Sequence, residues 1–183
     1  MDLLTGIATR ASAARLTTPG PTREHLEQIL RAGARAPDHG RLKPWRFIVL
    51  QGDARAKLGD AMAAVLSEKF ADLTPEQLAA ERAKPMRAPT IVVAAARITE
   101  GKIPAIEQVC AVSAAVQNML LAAHALGYGA MWKTGGAAHQ PAVKSAFGLS
   151  AEDKIVAFVY LGSIAAPGVA PPADIDSVTT WMS

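Results

Sequence analysis

The chain has 183 residues, of which 50% are hydrophobic and 19% are charged, a composition typical of one folded globular domain and not of a disordered or fibrous protein. Lys and Arg exceed Asp and Glu by 19 to 16, and the excess lies within residues 1–50. Aromatic residues are only 5% and apolar residues separate the bases, so the pattern favours a small anionic ligand over a nucleic acid.

Strand and helix patterns alternate along the chain. Short apolar runs predict buried strands, and apolar residues three or four positions apart predict helices. The last regular element is expected to end at Gly162. In chain order the sequence predicts helices at 2–11 and 21–35, a strand at 47–50, a helix after Asp53, a helix at 74–84, a strand at 90–94, a helix at 107–126, a strand at 128–132, a helix at 141–147 and a strand at 154–161.

Capping chemistry predicts where two of these helices begin. Asp53 is expected to cap the helix that carries Leu58 on its inner face. Thr74 and Gln77 have the spacing of a capping box, with Pro75 at the first helical position.

The helix predicted at 107–126 is apolar around most of its circumference. Gln108, Gln117, Asn118 and His124 interrupt it, so it lacks the uninterrupted apolar length of a membrane span. Such a helix is expected to be buried on two sides, by its own core and by a partner subunit, which indicates a dimer.

Several kinds of site are not favoured by the sequence. The single Cys110 excludes an internal disulfide framework, and the histidines are too scattered for a metal pair, so no metal is expected. There is no dinucleotide-binding glycine motif, and Trp132 breaks the phosphate-loop pattern of residues 127–134. No secretory signal is apparent at the start of the chain, and the cytoplasm is expected.

Two basic segments are candidates for anion binding. Arg10 and Ser12, followed by Arg15, could hold a phosphate through a guanidinium and a hydroxyl donor. Arg10 could equally complement the dipole of a helix C-terminus. The polar loop 36–45 could be a binding loop or a solvated turn.

Three segments in order resemble signatures of the nitroreductase family of FMN-dependent oxidoreductases, in particular its small NAD(P)H nitroreductases. Arg10–Arg15 matches the opening signature, Ala36–Trp45 matches the loop signature, and a glycine-rich turn follows Trp132. The resemblance implies an α+β fold with a central mixed, mostly antiparallel sheet flanked by helices. It further implies one FMN-binding domain over 1–162, an intertwined homodimer with FMN at the subunit interface, and an extended tail, 163–183, that packs on the partner.

The resemblance also implies a set of cofactor-binding residues and no catalytic side chain. Arg10 and Ser12 would hold the phosphate and ribityl chain of FMN, and Arg35 and His39 would reach the flavin from the partner subunit. A backbone N–H near residues 134–135 would face the flavin N5. The full implied set is Arg10, Ala11, Ser12, Arg35, His39, Trp132, Lys133 and Thr134, the last three bordering the isoalloxazine ring.

Some positions depart from the family pattern. Ala11 replaces an arginine, which removes one phosphate contact, and no Lys or Arg follows Lys154. Lys133 or Arg15 is expected to compensate, or else the phosphate is more exposed. Asp38, Arg41 and Lys43 change the charge of the loop at 36–45.

The implied function is an oxidoreductase that takes a hydride from NADH or NADPH and reduces an electron-poor acceptor, such as a nitroaromatic or a quinone, by a ping-pong mechanism. Three alternatives stay open at this point. The chain could hold or store FMN with little nitroreductase activity, could perform a related flavin chemistry on another substrate, or could be a flavin-free structural domain.

Overall fold

The computed structural model describes residues 1–182, and the regular elements of that range follow the predicted alternation. They are α1 (Leu3–Thr9), β1 (Arg15–Thr17), α2 (Arg23–Gly33), β2 (Trp45–Gln51), α3 (Ala54–Lys69), α4 (Pro75–Ala83), β3 (Thr90–Ala96), α5 (Ala105–Ala125), β4 (Gly129–Lys133), α6 (Pro141–Ala146) and β5 (Lys154–Ala166).

The five strands form one sheet in which every pairing within residues 1–182 is antiparallel. β3 lies between β2 and β5. β5 also pairs with two further strands at successive parts of its length. Its residues 158–162 pair with β4, and its residues 163–166 pair with β1. The predicted α+β class with a mostly antiparallel sheet is confirmed.

The core lies on both faces of the sheet. Every residue of β3 is buried, and because strand side chains alternate, Val92 packs with the α2 and α5 side while Val93 packs with the α3 and α6 side. Ile29 and Met119 contribute to the first layer and Leu58 to the second. Helices therefore cover the sheet on both sides.

Helix α5 is long and apolar enough to cross a membrane by length and composition alone. In the fold it packs on α2 and the sheet, with Val112, Val116 and Met119 fully buried. Its other face carries Ile106, which is 66% exposed, and Cys110, which is also exposed. The sequence analysis expects a partner subunit to cover this second face of α5, and in a single protomer the face is exposed.

Helix starts follow the predicted caps in one case and not in the other. The Thr74 capping box is confirmed, since the Gln77 amide donates to Thr74 Oγ1 at 3.3 Å and the Thr74 amide donates to Gln77 Oε1 at 2.9 Å. The cap predicted for Asp53 is wrong, because Asp53 already has helical backbone angles and its side chain makes no capping bond.

The predicted end of the last strand at Gly162 is also wrong. β5 continues to Ala166, and Gly162 pairs with Gly129. A Cβ at Gly162 would lie 2.7 Å from Pro89 Cδ and 2.8 Å from the Thr17 carbonyl oxygen. The glycine therefore allows close packing within the sheet and does not end it. The partner of the extension, β1, was not predicted.

Candidate functional site

A cavity of about 520 Å³ opens beside β4 and β5 on the side of the sheet that carries α3. A neighbouring cavity of about 310 Å³ lies along the glycine-rich turn after β4. Arg87, Lys133 and Tyr160 line both cavities. We treat the two as one site and call it the large cleft.

The large cleft is strongly cationic. Lys84 is paired with Glu81 at 2.5 Å, and Arg55 donates to the carbonyl oxygens of Gly52 and Ala88. The basic side chains that line it are Arg15, Arg55, Lys84, Arg87 and Lys133, against the single carboxylate of Glu81. Arg15, Arg87 and Lys133 have no ion-pair partner within residues 1–182. The cleft therefore favours an anionic or electron-rich ligand.

Lys133 is held against an aromatic ring at the floor of the cleft. Its Nζ lies 5.3 Å from the centroid of Tyr160, within the range of a cation–π interaction. Burial raises the pKa of Tyr160 to about 12, although the nearby Arg87 acts in the opposite direction. Tyr160 is therefore a neutral phenol at physiological pH, and the charge at this point of the cleft is that of Lys133.

The turn that follows β4 presents its main chain to the cleft. Gly135 has a φ of +71°, and a Cβ at Gly135 or Gly136 would meet no atom within 4 Å. In the described part of the chain the Gly135 amide donates to no protein acceptor. A ligand in the cleft can approach this backbone closely and accept a hydrogen bond from it.

Trp132 and Thr134 lie differently from Lys133 because side chains alternate along β4. The Trp132 indole N–H donates to Thr134 Oγ1 at 3.0 Å and to the Val156 carbonyl at 3.1 Å. The Trp132 side chain lines a separate cavity of about 500 Å³ beside α5, and Thr134 lines both this cavity and the large cleft. Of the three residues predicted at this strand end, Lys133 and Thr134 line the large cleft.

The predicted phosphate-binding segment runs from a third, smaller cavity to the large cleft. Arg10 ends α1 and, with Ala11, lines a cavity of about 110 Å³. Ala13 lines this cavity and the large cleft, and its amide donates to the Ala130 carbonyl at 3.1 Å. Ser12 is exposed. The hydrogen bond from Ala13 thus fixes residues 10–13 beside β4. A ligand that extended from the 110 Å³ cavity to the large cleft would lie along this segment.

Arg35 and His39 are exposed and line none of these cavities. His39 Nδ1 lies 2.5 Å from Glu107 Oε2, at the start of α5. The Asp38 carboxylate accepts a hydrogen bond from the Lys43 amide at 2.6 Å, which closes the loop. A single protomer does not bring Arg35 and His39 together with Lys133.

Some residues of the large cleft were missed by sequence reasoning. Arg87 and Lys84 lie in a 3₁₀ turn before β3, and Arg55 lies on α3. No local motif identifies them, because only the tertiary packing of this turn against α3 and β1 places them at the cleft. Tyr160 had one available signal, since it alternates with Phe158 in an apolar strand and so shares its buried face.

Comparison with known proteins gives a consistent result. The family model described as the nitroreductase family matches residues 7–163. The Escherichia coli (strain K12) protein named "Putative NAD(P)H nitroreductase YdjA" is 41% identical over 166 residues, which are 89% of this chain and 88% of that protein.

Solved structures share the fold. A nitroreductase-like protein from Bacillus cereus superposes with a TM-score of 0.83 at 24% identity, over 100% of this chain and 96% of that one. A crystal structure from Desulfovibrio desulfuricans, of a protein in complex with FMN, has a TM-score of 0.73 at 28% identity and covers 98% of this chain and 96% of that one.

Proposed function

The chain belongs to the nitroreductase family, and from that premise we propose that it is a homodimeric, FMN-dependent oxidoreductase that uses NADH or NADPH to reduce an electron-poor acceptor. Nitroaromatics and quinones are the acceptor class proposed. The proposal rests chiefly on one observation: Arg15, Arg87 and Lys133, without ion-pair partners in the described residues, surround a cleft beside the free amide of Gly135.

The donor set of the cleft fits FMN. The isoalloxazine ring is flat and rich in acceptor atoms, and the open main chain at Gly135 and Gly136 leaves room for a ring to lie against the turn. The segment from Arg10 to Arg15 runs past the same strand and offers Arg10 and the exposed hydroxyl of Ser12 to a phosphate. We therefore assign Arg10 and Ser12 to the phosphate end and Lys133 to the ring end.

The bound flavin supplies the hydride chemistry, and the protein orients it and sets its electrostatic environment. The ammonium of Lys133 and the guanidinium of Arg87 place positive charge where electron density increases on reduction. The Gly135 amide is the donor proposed to face N5. Trp132 and Thr134 are hydrogen-bonded to each other, and Thr134 is also bonded to the Val156 carbonyl. Their proposed role is to fix the end of β4, from which Lys133 and Gly135 project.

The proposed dimer accounts for the apolar surface that one protomer leaves open. The outer face of α5 exposes Ile106, and the tail exposes Val178 and Trp181, which are 80% and 87% accessible. Burial of such a surface favours association. In the dimer, Arg35 and His39 are proposed to reach the flavin of the other subunit.

We propose a ping-pong cycle, in which the oxidised nucleotide leaves before the acceptor enters the same face of the cleft. The compartment proposed is the cytoplasm. Purified protein is expected to show flavin absorbance between roughly 300 and 550 nm, a range set by the cofactor. Anaerobic NADH or NADPH should bleach these bands, and an added nitroaromatic or quinone should restore them.

The same experiment separates this function from flavin storage. Bands that persist after addition of both nucleotides would contradict a pyridine-nucleotide oxidoreductase and favour a protein that only holds FMN. Initial rates measured over a grid of nucleotide and acceptor concentrations should give parallel double-reciprocal lines. Intersecting lines would contradict the ping-pong order.

A further inference from the structure

The hydroxyl of Tyr160 is a polar group at the floor of the large cleft that has no protein partner. The side chain is 4% exposed and packs in the layer beneath α3. Within residues 1–182 no inaccessible side-chain nitrogen or oxygen lacks a hydrogen-bond partner, and the Tyr160 hydroxyl makes no hydrogen bond. Its oxygen is therefore accessible, and the open space beside the residue is the cleft. Such a hydroxyl on a nearly buried side chain indicates a partner from outside the chain.

The partner of Tyr160 must carry an acceptor atom. Because burial raises the pKa of Tyr160 to about 12, the phenol keeps its proton at physiological pH. Arg87 lies near enough to act on this ionisation in the opposite direction. Arg87 and Lys133 carry only hydrogen-bond donors and cannot accept the phenol proton. The proton is thus left for a ligand, and a negatively charged ligand suits both cations.

Tyr160 lies between two cationic side chains that belong to different parts of the sheet. β5 pairs with β4 on one side and with β3 on the other, so that Tyr160 is directly opposite Met131 and Ile91. Lys133 is on β4, and Arg87 is in the turn that leads into β3. The flavin ring is proposed to lie at the β4 side, against the glycine-rich turn. Arg87 approaches Tyr160 from the β3 side, where a second ligand has its own cation.

The part of the cleft with a volume of about 520 Å³ joins apolar surface to positive charge. Met86, Met131 and Pro89 line it, and no carboxylate does so within residues 1–182. The carboxylate of Glu81 lies in the neighbouring 310 Å³ part, where it is paired with Lys84. An aromatic ring suits the methionine and proline surface. An acidic substituent on that ring would meet donors and no opposing carboxylate in this part of the cleft.

We infer that the electron acceptor is an aryl carboxylate, and that Arg87 and the hydroxyl of Tyr160 bind its carboxylate group. This inference rests on the proposed function and specifies the substrate class of the same site. A guanidinium and a phenol can donate to both oxygens of one carboxylate, and hydrogen bonds to a charged group are the stronger kind. Tyr160 would determine specificity, because a neutral aryl acceptor would leave its hydroxyl unpaired.

The first test measures binding without turnover. Benzoate and benzamide have the same ring and differ in charge, and neither is reduced, so calorimetry on the flavin-loaded protein gives a Kd for each. The wild type is expected to bind benzoate at least about tenfold more tightly, as for a hydrogen bond to a charged group. Tyr160→Phe and Arg87→Gln should each raise the Kd for benzoate about tenfold and leave that for benzamide within about twofold.

Two variants serve as matched controls. Tyr128→Phe removes a hydroxyl that is bonded to His25 and lies outside the large cleft. Lys69→Gln removes an exposed positive charge at the end of α3. Both should retain the wild-type preference for benzoate. In steady-state assays the ratio of kcat/KM for para-nitrobenzoate to that for para-nitrobenzamide should fall in Tyr160→Phe and Arg87→Gln, and should not fall in the controls.

The other outcomes overturn the inference. Equal Kd values for benzoate and benzamide in the wild type would show that the cleft does not select an acid. Equal weakening of both ligands in Tyr160→Phe would show a structural role for the hydroxyl. An effect of Arg87→Gln alone would remove Tyr160 from the carboxylate site. If the wild type has no flavin bands, or has bands that NADH and NADPH do not bleach, the proposed function itself fails, whereas equal Kd values with normal bleaching overturn only the acceptor class.

Discussion

The ammonium of Lys133 lies 5.3 Å from the ring centroid of Tyr160, which is only 4% exposed. The two residues come from paired strands, β4 and β5, and face the same side of the sheet. The contact favours one position of a long flexible side chain at the cleft. We propose that Lys133 places a positive charge beside the flavin ring.

Removing that charge should change the redox properties of the bound flavin. In Lys133→Gln we expect the midpoint potential of FMN to become more negative, because positive charge near the ring stabilises the electron density gained on reduction. Equilibration with reference dyes measures the potential. Lys69→Gln is the control and should leave it unchanged, and an unchanged potential in Lys133→Gln would remove Lys133 from the ring end of the site.

Tyr160 should make the stability of the protein fall at high pH. Burial raises its pKa from 10.0 to about 12, so with rising pH the unfolded chain releases the phenol proton first. The stabilising contribution is complete below pH 10 and is lost between about pH 10 and 12. Urea midpoints at pH 9 and 11 should differ more in the wild type than in Tyr160→Phe. Equal differences would contradict the raised pKa.

The contact between Trp132 and Thr134 should contribute measurably to stability. Thr134→Val removes the acceptor for the Trp132 indole and the hydroxyl that donates to the Val156 carbonyl at 3.2 Å. The indole retains its bond to Val156, so we expect a loss of about 1 kcal/mol in the free energy of unfolding. Chemical denaturation followed by circular dichroism measures it. Thr99→Val, at an exposed position, should change stability by less than about 0.5 kcal/mol.

The apolar tail should be needed for dimerisation. Trp181 is 87% exposed and Val178 is 80% exposed in one protomer, which we attribute to their burial against a partner. The double substitution Val178→Ser and Trp181→Ser is expected to shift the equilibrium toward monomer, as measured by sedimentation velocity over a range of protein concentrations. A dimer of unaltered affinity would show that the tail does not pack on the partner.

Mixed dimers can test whether each flavin site uses both subunits. Arg10→Ala and Arg35→Ala homodimers should each bind FMN weakly, because a phosphate or ring contact is lost in both sites. If Arg10 and Arg35 reach the same flavin from opposite subunits, the heterodimer of the two variants retains one intact site. Co-expression with different affinity tags should then recover about one tightly bound FMN per heterodimer, as expected from this geometry. Recovery of none would place both arginines at the site of their own subunit.

Local chemistry made much of the fold predictable. The capping box at Thr74 and the buried apolar run of β3 follow from the local sequence, and both are as expected. Gly162 was misread because a glycine that ends a strand and one that permits close packing look alike in sequence. Only the neighbouring Pro89 and Thr17 distinguish the two cases.

The candidate site was predictable to a smaller extent. Lys133 and the segment from Arg10 to Ser12 carry motif signals, whereas Arg87 and Arg55 have none. Their place at the cleft depends on how a 3₁₀ turn packs against α3 and β1, which is a long-range relationship.

The pairing of Arg15 with Ala166 has a consequence for biosynthesis. Residues 16–165 lie between the two, so a ribosome must synthesise all of them before β1 has a partner strand. The segment that carries Arg10 and Ser12 leads directly into β1. If this segment holds the cofactor phosphate, as proposed, the site is assembled only after β5 has been synthesised, and flavin is expected to bind after that point.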